Sequence, residues 1–95
     1  MSAPDFLVHD EGDTVGVVVV ETVKAGAALQ GLSMETGESV AMNAQADIPL
    51  GHKIALKDLV EGETVLKYGH DIGKIVATVK AGDHVHVHNM KTKRW

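Results

Sequence analysis

An all-β domain is what this sequence predicts, on three observations. Runs rich in valine, isoleucine and threonine recur along the chain, and glycine-containing turns separate them. No extended window repeats apolar residues at three- and four-residue steps, as an amphipathic helix would. Many short strands joined by tight turns imply a sandwich or a small barrel-like clip. The 95 residues are enough for one domain and too few for two good cores. Aromatic residues make up only 3% (Phe6, Tyr68 and Trp95), so the core falls to Val, Leu, Ile and Ala.

Residues 6–9 (FLVH) read as a short first strand, closed by the turn Asp10-Glu11-Gly12-Asp13. Residues 14–22 (TVGVVVVET) are apolar nearly throughout, the pattern of a strand buried on both faces, and form the expected centre of the sheet. Gly16 within them marks a bulge or a close backbone approach. Beyond the turn at Lys24-Ala25-Gly26, residues 29–35 and 39–44 make a hairpin with Gly37 in its turn. Met34 and Met42 read as core filler. Pro49 cannot donate to a ladder, so residues 45–50 are a connection or an edge. Strands follow at 54–56, after Gly62-Glu63, and at 75–79, with His70-Asp71 in a solvated turn between glycines. Residues 11–15, 61–65 and 81–85 each set a glycine and an acid just ahead of a strand. The spacing is too irregular for a solenoid and reads as recurrent turn chemistry.

A net charge of -4 argues against a general nucleic-acid binder, since phosphate contacts need a basic surface. The absence of cysteine excludes a disulfide framework and a thiolate zinc site, and fits a reducing compartment. No apolar run reaches the length of a membrane span, and the first residues lack the basic and apolar regions of a signal peptide. The expectation is a cytoplasmic protein with neither nucleic acid nor membrane as partner.

Chemistry concentrates in GDHVHVHN, residues 82–89, which carries half of the six histidines. If this stretch is extended, His84, His86 and His88 share one face and Val85 and Val87 the other. Neighbouring histidines are then about 7 Å apart and the outer pair about 14 Å, so at most two imidazoles converge on one ion or substrate. A solvated edge strand satisfies the same alternation, and the pattern alone leaves both readings open. Gly51-His52-Lys53, just ahead of an apolar strand, offers a donor or base and a point charge beside exposed backbone. An anion site and a solvated loop are both compatible with it.

Taken in order, GHKIAL, LKYGHDIG and GDHVHVHN resemble the SAF domain of the altronate and galactarate dehydratase family, which has a β-clip fold. The resemblance rests on Gly51, His52, Lys53, Lys67, Tyr68, Gly69, Ile72, Gly73 and residues 84–89. Members of that family usually continue into a much larger catalytic region, and this chain stops at Trp95. It looks more like the branch in which small and large chains are separate. The resemblance implies a lyase subunit acting with a large subunit on a small anionic hydroxy acid, eliminating sulfite from (2R)-3-sulfolactate to give pyruvate. It places His52, Lys53 and His84 in catalysis, and Lys67, Tyr68, His86 and Asn89 in substrate binding. His84 and His86 support a divalent metal, iron(II) by the same resemblance, held mainly by the large subunit. Two alternatives stand beside this one: the small part of a sugar-acid dehydratase, and a noncatalytic assembly module. Self-association into a homo-oligomer is left open.

Overall fold

Phe6 decides how the first sheet closes. It lies in β1 (Phe6–Val8), fully buried, where strands on both sides carry a glycine beneath its ring. β1 runs antiparallel to β2 (Val15–Val18) and parallel to β4 (Ala28–Ser33), with Phe6 opposite Gly31. A Cβ at Gly31 would overlap the Phe6 ring, and one at Gly16 would come within 2.9 Å of the Leu7 carbonyl oxygen. Gly16 is therefore a close backbone approach and not a bulge, and the ring takes the space two side chains would need.

The computed structural model describes residues 3–10, 12–67, 69–86 and 88–91. Among them are eleven strands and no helix, numbered here in chain order. A six-stranded sheet runs β10 (His84–Val85), β7 (Lys53–Ala55), β2, β1, β4, β5 (Ser39–Asn43). Gly37 sits at φ 78° in the β4–β5 hairpin, the position expected of it. The apolar run after β2 does not stay in one strand. β2 ends at Val18, and β3 (Thr22–Val23) pairs with β6 (Ile48–Pro49) in a two-stranded ribbon, which puts Pro49 where a missing N–H is tolerated.

β2 and β7 are covered on both faces, as the unbroken apolar runs require. Val18 and Ile54 enter a cluster with Phe6, Val8, Val23, Leu29, Ala44 and Ile48. Val15 and Ala55, on the opposite faces, enter a second with Leu59, Val65, Ile75, Val79 and Val85. Each fully buried Ile, Leu or Phe contributes about 1.5–3 kcal/mol. Met42 packs against the first cluster, but Met34 lies 54% exposed just past the end of β4 and fills no core.

Residues 53–67 and 69–85 form one long ribbon folded back on itself. Lys53 pairs with Val85, Ile54 with His84, Leu59 with Val79, Thr64 with Lys74 and Val65 with Gly73. β8 (Thr64–Lys67) and β9 (His70–Ile75) make the tip, joined by β11 (Met90–Lys91) in a three-stranded sheet. The strand expected at 75–79 lies earlier than its composition suggested. His70 and Asp71 belong to β9, opposite Lys67 and Leu66, and were not in a solvated turn. Val79 keeps only its bridge to Leu59. What bends the ribbon is a pair of matching turns, one in each arm. Glu63 accepts the Val60 N–H at 2.6 Å and Asp83 accepts the Lys80 N–H at 3.0 Å. Each acid returns its own N–H to the carbonyl of Val60 or Lys80. Asp13 does the same with Asp10, so the three resembling turns share one carboxylate lock. A bent ribbon with short flanking strands is the β-clip that the motifs implied.

Candidate functional site

His52 and His84 are 32 residues apart in sequence, and the ribbon brings them together. Ladder bonds to β2 extend one residue beyond β7, with the Val18 N–H donating to the His52 carbonyl at 3.0 Å, and so hold the His52 backbone. Across β7, β10 places His84 opposite Ile54 and Val85 opposite Lys53. One step further on, the same register sets His86 against His52, and their rings stack with centroids 4.1 Å apart.

The histidine stretch is extended only through His84 and Val85. Asn89 ends it. Its side-chain oxygen accepts the His86 N–H at 3.0 Å and its amide donates to the His84 carbonyl at 2.8 Å. Backbone N–H groups of Asn89 and Met90 both turn back to the His86 carbonyl. This turn brings the His88 ring to 5.1 Å from that of His84, where a straight strand would have kept them about 14 Å apart. Asn89 is 6% exposed and stands behind the imidazoles, holding their backbone. Val87 lies outside the described residues.

Three imidazoles form the centre. His52 Nδ1 and His84 Nε2 are 2.8 Å apart, one donating to the other. One nitrogen from each of His52, His84 and His86 lies within 4.8 Å of the others, and all three side chains are half-buried. The stretch 82–89 contributes two of them, as its spacing allowed, and the third, His52, comes from a different arm of the ribbon. Burial pushes the His84 pKa down, and the neighbouring imidazoles of His52, His88 and His86 push it further against a pull from Asp83. His86 is lowered too, by loss of solvent and then by His52, Lys53 and His88. Both rings are therefore neutral around pH 7, each with a lone pair to offer. Nothing in the three imidazole donors conflicts with a divalent transition metal, for which neutral imidazole is a common ligand.

Lys53 opens β7 and aligns with Val85, on the face of the second core, so the strand sends it to the other side from His52. Its pKa is lowered by burial and then by the Lys67 ammonium, which sets these two cations near each other. Tyr68 lies outside the described residues. His9 and His70 are not in the cluster. One buried group was not singled out from sequence: Asp13, 7% exposed, accepts the Gly69 N–H at 2.8 Å and pins the tip of the ribbon to the β1–β2 turn. Its signal was the acid that follows glycine in all three turns.

Comparison with known proteins agrees with this architecture. The altronate/galactarate dehydratase SAF domain matches residues 4–93. The chain is 54% identical over 91 residues to (2R)-sulfolactate sulfo-lyase subunit alpha of Chromohalobacter salexigens, covering 96% of this chain and 97% of that one. It is 61% identical over 54 residues to the protein of the same name from Paracoccus pantotrophus, covering 57% of this chain and 81% of that one. With altronate dehydratase of Bacillus subtilis it shares 43% identity over 53 residues, 56% of this chain but 11% of the longer protein. No helix among the described residues is long and apolar enough to cross a membrane. Folded as a bent ribbon and matched over nearly its whole length, the chain belongs to the altronate/galactarate dehydratase SAF domain family.

Proposed function

We infer that this chain is the small subunit of a two-chain carbon–sulfur lyase that eliminates sulfite from (2R)-3-sulfolactate to give pyruvate. Support comes from its identity with two proteins named subunit alpha of that lyase. The observation that carries the reading is the convergence of His52, His84 and His86 into one accessible cluster.

In the elimination, the electron pair of the C2–H bond becomes the C2–C3 double bond, and the C3–S pair leaves on sulfite. The resulting enol takes a proton at C3 to become pyruvate. Such a reaction needs a base for the C2 proton, polarisation of the carboxylate and hydroxyl, and charge to meet the leaving anion. His52, His84 and His86 bind the carboxylate and C2 hydroxyl, and, with Lys53 leaving β7 on the opposite face, the charge that meets the sulfonate is assigned to the larger chain. The base for the C2 proton is assigned to the larger chain, since His52 Nδ1 and His84 Nε2 are engaged with each other. Iron(II), when bound, supplies Lewis acidity to those substrate oxygens; His52, His84 and His86 are the residues that would hold it.

A direct test purifies the chain with a sulfo-lyase large subunit and compares sulfite release from (2R)-3-sulfolactate with keto-acid formation from altronate. Sulfite release by the pair, absent from either chain alone, is the expected result. Keto acid from altronate without sulfite would instead establish the dehydratase reading, which the 43% identity to altronate dehydratase favours as second choice.

A further inference from the structure

One residue from each strand of the six-stranded sheet lines up across its outer face. Ser39 pairs with Leu32, Leu32 with Leu7, Leu7 with Val17, Val17 with Lys53 and Lys53 with Val85. The second core covers this face only over β10, β7 and the start of β2, through Val85, Ala55 and Val15. Leu7, Val17 and Leu32 point away from Phe6, Val18 and Leu29, are half-buried and enter neither cluster. Beside them on the same face, a groove of about 390 Å³ runs over Ala28, Ala41 and the bonded pair Asp5–Gln30. A solvated sheet face turns polar side chains outward. Over β1, β4 and β5 this one presents Leu7, Leu32, Ala28 and Ala41, and no lysine, arginine or glutamate.

Lys53 closes the row with a charge that nothing meets. Burial and the Lys67 ammonium both oppose it, and among the described residues no carboxylate pairs with it. A half-buried ammonium beside a second one is unfavourable until an anion arrives. Resting on the two-chain reading above, we propose that this outer face is where the larger chain docks, laying an aliphatic segment along Leu32, Leu7 and Val17 and a carboxylate on Lys53.

Position and size both select the larger chain over a second copy. Lys53 directly follows His52, so a segment running along the row arrives beside the histidines, where the base and the sulfonate charge must also come from the larger chain. Five strands about 4.8 Å apart, each about five residues long, make a face of about 400 Å². A stable complex buries about 800 Å² on each partner, so this face suffices only as part of a wider interface. Continuity with the histidine site supplies the rest.

The test mixes the small chain with a sulfo-lyase large subunit and reads affinity by calorimetry, assembly by sedimentation and sulfite release from (2R)-3-sulfolactate on the same mixtures. Leu7→Lys, Leu32→Lys and Lys53→Glu should each weaken association by about tenfold or more. Val60→Lys, equally exposed to solvent change but in the Gly62 turn, should bind as the parent does. Added salt should weaken the parent complex more than that of Lys53→Gln. Because a lysine on a sheet can unfold the chain, methyl NMR of the parent gives a second readout. Signals of Leu7, Val17 and Leu32 should shift when the larger chain is added, and that of Val60 should not. Unchanged affinity in both leucine variants, shifts confined to other methyls, or no association would overturn the proposal. So would a small chain that sediments alone as a dimer and is dispersed by Leu7→Lys. Sulfite release in the face of any of these leaves the lyase reading standing, while a pair that docks on this face and releases none sinks that reading alone.

Discussion

The two turns that bend the ribbon contain an internal control for what shapes the site. Gly62 and Gly82 occupy the same place in them, at φ 94° and 91°. An L-residue in that region costs about 1–2 kcal/mol at either position. Their surroundings differ. Nothing lies within 4 Å of a Cβ at Gly62, whereas at Gly82 it would overlap the Asn43 carbonyl oxygen and meet the Gln45 side chain at 3.3 Å. Gly82 is not free to retreat, since its N–H donates to Ala55 at 2.8 Å and its carbonyl accepts from Gln45 at 2.9 Å. Relieving an overlap between backbones so fixed adds about 1–3 kcal/mol. Gly62→Ala should then cost about 1–2 kcal/mol and Gly82→Ala about 2–5 kcal/mol. In a domain of this size each kcal/mol lowers the melting temperature by about 4–8 °C, so Gly82→Ala should melt at least about 4 °C below Gly62→Ala. Thermal unfolding followed by circular dichroism, both variants side by side, measures the difference with the shared φ cost cancelled. Equal melting temperatures, or Gly62→Ala the lower, would refute the placement of the Gly82 turn against β5, and with it the support beneath β10.

Phe6→Ala should cost about 3–5 kcal/mol, read from urea midpoints, because the ring is fully buried and two glycines leave nothing to collapse into its space. Asn89→Ala leaves the His86 N–H and the His84 carbonyl without partners, at about 1–3 kcal/mol, and urea unfolding should show that loss. Stability of the metal-free chain should fall below about pH 6.5. His84 and His86 have folded pKa values under their unfolded ones, so the unfolded chain takes up protons first. Their contribution is complete above the unfolded value and is lost as pH falls from there through the folded ones. Urea midpoints across that range should drop less in a His84→Gln, His86→Gln double variant than in the parent.

Local pattern carried most of the strands. The β4–β5 hairpin, the two-faced burial of β2 and the three glycine-acid turns all depend on residues close in sequence, where periodicity and turn preference act. Nonlocal pairing was not legible. That His52 meets His84 and His86 depends on the register between arms of a folded ribbon, which the turns at Gly62 and Gly82 set together. Alternation alone made the histidine stretch a straight strand, although Asn89 was a turn residue in plain view. A side chain that bonds back to backbone three and five residues earlier ends the strand after Val85, against the alternation of the stretch. Asp13 escaped notice for a related reason, since a turn acid looks solvated until its long-range partner at Gly69 is known.

Sulfite release by the assembled pair, with His52, His84 and His86 replaced by glutamine singly and in pairs, tests most directly whether these rings act as one site. Each single change should lower kcat/KM by about a hundredfold or more. Double changes should cost little beyond the worse of their singles, as members of a unit do. Turnover within about twofold of the parent in any one of the singles would contradict that unity, as would losses in the doubles that simply multiply.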